Sequence, residues 1–406
     1  MGTLGYRVSP GCACPRGPTR GQPARLAPGD GRAVGKRSGA QRVLSTALLG
    51  AVILGAGGYL LLSRPALPLA PDQISATEEP PPLPIAAEAF DQGDWRAAEE
   101  AYARAVAADS FSAAAEKGWA RVLTFQYRYK DAIAHARRAV DLAPRDAAAH
   151  AVLAQALDWA GDIDGAAAAA RRSIDLDPSL GEGHAFLAEV FADRHQIADA
   201  RRSVDRALAL DPEGVEPLRV RAYILETEGR YSDAIDAYSD AIAAAPRMAH
   251  LHFALGNVYR ALNRWEESVD AYRVAATLAP YDARPPAGLG MAYLAQEDAS
   301  AAIGYFQQAI ALDPGYSTAY GQMGNAYYVS GDYPRAEEPL SRAVELERNP
   351  VRLSSYRHVL GWTYLRNGAL DSAEAQFREA LALSPSLDGA RQGLEALAAL
   401  RQTSRS

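Results

Sequence analysis

The chain has 406 residues, of which 49% are hydrophobic and 22% are charged, and its net charge is −7. Residues 1–42 carry a net charge of +7, so the rest of the chain carries −14, and so acidic a body argues against nucleic acid as the main ligand. The two cysteines, Cys12 and Cys14, both lie in this N-terminal tail. They predict neither a disulfide framework nor a metal site, and they exclude cysteine catalysis elsewhere in the chain.

The first 62 residues predict a tail followed by a membrane helix. Residues 1–42, rich in Gly, Pro and Arg, are expected to form a disordered, basic, cytoplasmic tail. Residues 43–62 contain no charged side chain, and a helix of about 20 residues matches the hydrocarbon thickness of a bilayer. The positive-inside rule then predicts a single-pass membrane protein whose remaining chain is extracytoplasmic. A cleaved signal peptide is the alternative for the same segment.

Two further features belong to this region. Ala47, Ala51 and Gly55 are four residues apart and form a stripe of small residues, through which two copies could form a weak dimer. Residues 63–84 form a proline-rich linker, which we expect to be a semi-rigid, extended spacer between the predicted span and the rest of the chain.

From residue 85 to residue 387 the sequence repeats with a period of 34 residues. Small side chains keep this spacing at Ala132, Ala166, Ala200, Ala234, Ser268, Ala302 and Ala336. Prolines keep it at Pro144, Pro178, Pro212, Pro246, Pro280 and Pro314. A fixed period of this length is typical of a helical repeat array, in which each unit packs on its neighbours. We therefore expect an all-α solenoid whose activity is binding.

The unit at residues 249–282 shows what each repeat contains. Apolar and small residues around Gly256 share one face of a first helix, and Asn263 lies in a turn. A second apolar stripe includes Tyr272, and Pro280 follows the second helix, which it cannot continue. The position of Gly256 holds Gly or Ala in every repeat, so the two helices can pack closely.

This pattern resembles the tetratricopeptide repeat. Nine repeats of helix, turn and helix can be drawn, and residues 388–401 predict a capping helix before a short tail at 402–406. The resemblance implies a right-handed superhelix whose first helices line a concave groove. Members of the family mostly hold peptides or other proteins there.

The first helices predict a groove that is acidic in the early repeats and polar, aromatic and basic in the late ones. The early groove residues are Asp158, Trp159, Glu182, Glu189, Asp193, Glu216, Arg219 and Glu226. The late residues, which we predict to bind the partner, are Asn257, Arg260, Asn325, Tyr328, His358, Trp362 and Arg366. Asn and Arg can hydrogen-bond a peptide, and Trp and Tyr supply contact area. The alternative for Asn257 and Asn325 is that Asn is common at this position in the family.

One irregularity interrupts the late repeats. Pro339 lies inside the second helix of the eighth repeat, and three residues, 351–353, are inserted before the ninth. Proline removes a backbone hydrogen bond and clashes with the preceding turn, so we predict a kink or offset of the superhelix there. The alternative is a drifted repeat without a kink.

No catalytic motif is found, and neither a cofactor nor a metal is expected. His150, His184 and His252 occupy the same position of three repeats, which favours packing over chemistry. The sequence therefore predicts a membrane-anchored scaffold or assembly factor that binds proteins or peptides and is not an enzyme. The alternatives are a secreted or periplasmic binding module, and a non-catalytic, substrate-presenting subunit of a glycosyltransferase or secretion system.

Overall fold

The computed structural model describes residues 82–403. This part of the chain folds into nineteen α-helices and no strand. The helices are α1 (Pro82–Asp91), α2 (Trp95–Ala108), α3 (Ala113–Phe125), α4 (Tyr129–Leu142), α5 (Ala147–Trp159), α6 (Ile163–Leu176), α7 (Gly181–Asp193), α8 (Ile197–Leu210), α9 (Val215–Thr227), α10 (Tyr231–Ala244), α11 (Ala249–Ala261), α12 (Trp265–Leu278), α13 (Arg284–Ala295), α14 (Ala299–Leu312), α15 (Ser317–Val329), α16 (Tyr333–Leu346), α17 (Pro350–Arg366), α18 (Leu370–Leu383) and α19 (Asp388–Thr403). Successive helices pair as α1 with α2 through α17 with α18, and α19 packs on the last pair. The predicted all-α repeat solenoid is confirmed.

One residue at the same position of each pair makes the turn between its helices. Its backbone φ is positive, which suits glycine because no Cβ opposes that conformation. Glycine stands there in five pairs, at Gly93, Gly161, Gly229, Gly331 and Gly368, and the others have Tyr127, His195, Asn263 and Glu297. In several pairs an aspartate follows and begins the second helix. Asp94, for example, accepts a hydrogen bond from the Ala97 backbone N–H at 3.0 Å.

Glycines at the predicted close-packing position let the two helices of a pair approach. A Cβ built on Gly256 would lie 2.7 Å from the ring of Tyr272, and one on Gly361 would lie 2.7 Å from the ring of Phe377. Both rings are completely buried. A larger side chain at either glycine would therefore separate the helices and remove packing contacts.

Three histidines also occupy one position of the 34-residue repeat and make the same contact. His150, His184 and His252 each lie within hydrogen-bonding distance of the carbonyl oxygen of the proline six residues earlier, with Nε2 to oxygen distances of 3.2, 3.1 and 2.9 Å. The contact ties the first helix to the loop that precedes it. This supports the predicted structural role of the three histidines.

The prolines near both ends of the array are accommodated inside helices. α1 begins at Pro82, so Pro82 and Pro84 form its first turn, where a missing N–H leaves no bond unmade. α16 continues through Pro339 as one helix. The three inserted residues, 351–353, lengthen α17 instead of forming a loop. The kink at Pro339 stays a prediction.

The superhelix closes on itself over its first seven repeats. The inner layer is formed by odd-numbered helices, which contact each other from one pair to the next. Arg247, in the loop before α11, donates from Nε to the Gln92 carbonyl at 2.5 Å, and a Cβ on Gly93 would lie 2.3 Å from the Arg247 carbonyl oxygen. The rings of Phe125 and His250 stack with their centroids 4.6 Å apart. We call these the closure contacts. They join the first two repeats to the sixth. The Arg284 guanidinium, at the start of α13, also lies 2.9 Å from the centroid of the Tyr127 ring and joins the seventh repeat to the second.

The predicted single-pass membrane localisation is corrected by the structure. A membrane-spanning helix needs about 20 apolar residues, whereas the longest helix of the described residues, α17, has 17. Across residues 82–403 no helix is both long and apolar enough to cross a membrane. The predicted tail at 1–42 and the predicted span at 43–62 lie outside the described residues, as do most of the predicted linker and residues 404–406. The dimer stripe of Ala47, Ala51 and Gly55 lies outside them too.

Candidate functional site

Arg219 is the centre of a buried ion network on the inner face of the early repeats. It lies on α9 and is 6% exposed. Its guanidinium donates to both carboxylate oxygens of Glu189, at 2.8 and 2.6 Å, and to Glu216 at 2.7 Å. The indole N–H of Trp159 also donates to Glu189, at 3.2 Å. The buried carboxylates are therefore paired, as burial of a charge requires.

Arg121 extends this network across the superhelix. From α3 it reaches Glu182 at 3.1 Å and Glu216 at 4.0 Å, so repeat two is joined to repeats four and five. Burial raises the pKa of Glu216, but the neighbouring Arg219 and Arg121 guanidiniums outweigh it and hold that pKa below its ordinary value. These four arginine–glutamate pairs make the early inner face a set of internal contacts.

His250 occupies the same interior. Both of its ring nitrogens are buried without a hydrogen-bond partner among residues 82–403. Burial lowers the pKa of His250 to about 3, against the favourable charge of nearby Glu216. The imidazole is therefore neutral at physiological pH.

The early groove is consequently not the open acidic surface that the sequence predicts. Glu182, Glu189 and Glu216 are paired with arginines, and Glu226 accepts a hydrogen bond from the Tyr238 hydroxyl at 3.0 Å. A reading of single repeats cannot find pairs that form between repeats distant in sequence. A partner segment would have to displace these internal contacts to lie along the early repeats.

A pocket on this inner face has carboxylate and aromatic walls. Its volume is about 330 Å³ and it is lined by Tyr127, Tyr129, Asp158, Trp159, Glu189, Asp193 and Tyr223. Asp158 is 5% exposed, and its Oδ1 is buried with no hydrogen-bond partner in the described part of the chain. Asp193 is exposed at the rim and accepts a hydrogen bond from the Tyr223 hydroxyl. Burial first, and then the charges of Glu189 and Asp193, raise the pKa of Asp158 to about 9.

The structure places the predicted binding residues of α11 next to buried groups. The Tyr272 hydroxyl donates to Asn257 Oδ1 at 2.7 Å. Arg260, one turn further on, lies near Glu226, where burial raises the pKa of the carboxyl and the guanidinium opposes that effect. Asn257 and Arg260 are therefore partly committed to internal contacts. They are separated from the later predicted residues by α13, which packs between α11 and α15.

Tyr328 and Arg366 lie close together at the C-terminal ends of α15 and α17. The rings of Tyr328 and Tyr333 have centroids 5.4 Å apart, and the Arg366 guanidinium lies 5.7 Å from the centroid of the Tyr333 ring. Burial raises the pKa of Tyr328, and the charge of Arg366 opposes this. Asn325 lies one turn before Tyr328 on the same helix face. Arg366 is exposed, and so is the neighbouring Val329, at 52%.

His358 and Trp362 contact the capping helix, α19. The Trp362 indole N–H lies 3.1 Å from His358 Nε2 and 3.2 Å from the carbonyl oxygen of Gly389, at the start of α19. A Cβ on Gly389 would lie 2.4 Å from His358 Nε2, so the helix approaches closely. Burial lowers the pKa of His358. This pair therefore holds α19 against the last repeat.

Sequence reasoning missed several inner-face residues, namely Arg121, Tyr127, Tyr129, Tyr223, His250 and Tyr333. A signal existed for two of them, Arg121 and Tyr223. One position of the 34-residue repeat is polar or aromatic in six repeats, at Arg121, Gln155, Glu189, Tyr223, Asn257 and Asn325, and is Met291 in the seventh. The others depend on contacts between distant repeats or on the turns.

Family models described as tetratricopeptide repeat match most of the array. One matches residues 117–180, 187–248 and 219–283, a second matches 293–355 and a third matches 353–384. Together they cover more than half of the chain. With the helix pairs described above, they define a helical repeat protein of the solenoid class. The chain belongs to the tetratricopeptide repeat family.

Two solved structures share the fold. The crystal structure of the APC/C hetero-tetramer Cut9–Hcn1 is similar with a TM-score of 0.63 and 19% identity, over 74% of this chain and 59% of that chain. The IFIT1 monomeric mutant (L457E/L464E) with Gppp-AAAA is similar with a TM-score of 0.57 and 14% identity, over 80% of this chain and 82% of that one. This chain therefore spans less than two thirds of the Cut9–Hcn1 chain. No curated protein matches the sequence.

Proposed function

We propose that this protein is a non-catalytic scaffold that binds a peptide segment of a protein partner on the concave face of its last repeats. The tetratricopeptide fold is typically such a scaffold. The proposed binding surface consists of Asn325, Tyr328 and Arg366, together with Tyr333. It is smaller than the surface expected from the sequence, because Asn257, His358 and Trp362 make internal hydrogen bonds.

The closure of the early repeats is the observation that carries this proposal. Their inner side chains are paired with one another, and a peptide lying along them would have to displace these pairs and the closure contacts. At the C-terminal ends of α15 and α17, by contrast, the exposed Arg366 lies beside the rings of Tyr328 and of Tyr333, the first residue of α16. Val329 next to Tyr328 is also exposed. Arginine and tyrosine are the residue types that most often supply binding energy at protein interfaces.

A peptide selection tests the proposal. Peptides that bind the full-length protein are selected from a displayed random library, and their dissociation constants are measured by calorimetry. We expect Tyr328→Ala combined with Arg366→Ala to weaken binding by roughly 30-fold or more, because truncating interface anchors of this kind costs about 2 kcal/mol or more.

The matched control is Arg137→Ala combined with Arg171→Ala, on exposed positions of α4 and α6. This variant should change the affinity less than twofold. Selected peptides that bind both variants as well as the wild-type protein would contradict a site on α15 and α17.

A further inference from the structure

We propose that the pocket between the α3–α4 turn, the start of α4, and helices α5, α7 and α9 binds an organic cation, the ammonium or guanidinium head group of a basic ligand, with Asp158 as its buried counter-ion. We call it the cation pocket; its lining is the set of seven residues given above. This inference is independent of the proposed peptide surface, because the two share no residue.

The cation pocket has more negative than positive side chains. Glu189 is satisfied by Arg219, but that guanidinium is shared with Glu216. Neither Asp158 nor Asp193 forms a salt bridge within residues 82–403. Buried polar atoms in proteins nearly always have a partner, and the Oδ1 of Asp158 faces a pocket without one. A positively charged ligand would supply it.

The aromatic walls favour an organic cation over a metal ion. Tyr127 and Trp159 stack with centroids 5.9 Å apart. Both rings already attract an internal guanidinium: Arg219 lies 5.3 Å from the centroid of the Trp159 ring, and Arg284, at the start of α13, lies 2.9 Å from the centroid of the Tyr127 ring. Ammonium and guanidinium groups are attracted to such ring faces. Within residues 82–403 no three His, Cys, Asp or Glu side chains are arranged to hold a metal ion.

Protonation gives the pocket a distinctive signature. Asp158 is faced by Glu189 and Asp193 from α7, by Arg219 and Tyr223 from α9, and by Tyr127 and Tyr129 at the α3–α4 turn and the start of α4. His250 lies beyond Trp159, and Arg284 of α13 lies against the Tyr127 ring. With a pKa of about 9 in the free protein, its carboxyl is protonated at neutral pH. A bound cation stabilises the ionised form, so binding releases a proton. Affinity should therefore rise with pH until about pH 9.

Calorimetry on the full-length protein tests this. The probes are N-acetylarginine amide and N-acetylcitrulline amide, which have similar shapes but differ in charge. We expect saturable binding of the arginine probe, at least tenfold weaker binding of the citrulline probe, and an affinity that rises close to tenfold per pH unit between pH 6 and pH 8.

Variants locate the counter-ion. Asp158→Asn should weaken binding of the arginine probe at least tenfold and abolish the dependence of its affinity on pH. Its melting temperature at pH 7 should stay near that of the wild-type protein, because the side chain is neutral in both. Asp141→Asn, on the exposed surface of α4, is the matched control and should change affinity less than twofold. Asp193→Asn, at the exposed rim, is the second variant in case Asp158→Asn fails to fold. It should weaken binding of the arginine probe at least threefold.

A nine-residue peptide with one central arginine distinguishes the sources of the cation. Binding of the peptide that is lost in Asp158→Asn, without binding of the free probe, supports a site for a partner's side chain. Binding of both ligands that is lost in Asp158→Asn supports a site that also accepts a free cation, whereas peptide binding that Asp158→Asn leaves unchanged belongs to the surface on α15 and α17 and does not support the cation pocket. The inference is overturned if neither ligand saturates the protein at millimolar concentration, if the citrulline probe binds equally well, or if Asp158→Asn and Asp193→Asn both bind like the wild-type protein.

Discussion

At the turn of each helix pair, the conformation of one residue decides where the first helix ends. Nine residues at this position have a positive φ, which is unfavourable for side chains with a Cβ. Asn263 is an expected occupant, since Asn tolerates this conformation. Tyr127 is not, and its ring lines the cation pocket. Glu297 is exposed and no closer contact explains its presence.

Replacing Glu297 with glycine should therefore stabilise the array. We expect Glu297→Gly to raise the free energy of unfolding by about 1 kcal/mol, because it removes the strain of a left-handed glutamate. Urea unfolding followed by circular dichroism measures the change. Glu395→Gly, in the middle of α19, is the control and should lower stability by about 1 kcal/mol. A loss of stability in Glu297→Gly would show that its side chain has a stabilising role.

His250 should make stability depend on pH. Its folded-state pKa of about 3 lies below the ordinary value of 6.5, so the unfolded chain takes up a proton that the folded chain does not. This contribution is fully present above pH 6.5 and is lost as the pH falls towards 3. Between pH 6.5 and pH 5, His250→Gln should reduce the fall in the free energy of unfolding by up to about 2 kcal/mol.

The measurement is urea unfolding of both proteins across that pH range. His252→Gln, on the same helix, is the control and should retain the wild-type dependence. An unchanged pH dependence in His250→Gln would show that the imidazole is hydrated in the folded protein.

At the scale of helices, the 34-residue period was sufficient to predict the architecture. Small residues, turn positions and terminal prolines recur locally, so each repeat carries the information for its own two helices. The two ends of the repeat array follow the period less closely. Pro82 and Pro84 read as part of a linker but form the first turn of α1. Pro339 and the inserted residues read as an interruption, yet α16 is continuous and α17 is simply longer.

Pro339 should nonetheless weaken α16. It cannot donate to the Arg335 carbonyl, and a proline in a helix interior costs about 3 kcal/mol relative to alanine. Its own ring is buried, so part of the gain from replacement is lost as packing. We expect Pro339→Ala to raise stability by about 1–2 kcal/mol in thermal unfolding. Pro350→Ala, at the first position of α17, should change it by less than about 0.5 kcal/mol. A destabilised Pro339→Ala would mean that the ring's packing dominates.

At the scale of the molecule, the closure contacts could not be predicted from single repeats. Whether α3 meets α11 depends on small rotations added from one pair to the next, which no local pattern records. This is why the early groove was predicted as open and acidic, whereas its glutamates pair with Arg121 and Arg219. The late surface around Tyr328 and Arg366 was easier to predict because its neighbours are adjacent repeats.

Gly93→Ala should open the closure. The new Cβ would lie 2.3 Å from the Arg247 carbonyl oxygen. Gly161→Ala is a matched control, because Gly161 has the same backbone conformation with no atom within 4 Å of its Cβ position. Both variants carry similar backbone strain, so any difference between them reports the closure. We expect faster hydrogen exchange in α1–α3 and α11 in Gly93→Ala only. Equal exchange in the two variants would show that the closure contributes little.

The closure also changes how the array should come apart. In an open solenoid each repeat has two neighbours, and the terminal repeats can peel away one at a time. Here the first repeat rests on the second and also on the loop before α11, so detaching it breaks two interfaces at once. We expect the first seven repeats to behave as a ring that opens cooperatively and the last two to behave as a free arm. Fraying should then start at the C-terminal end, on the same arm that carries the proposed peptide surface.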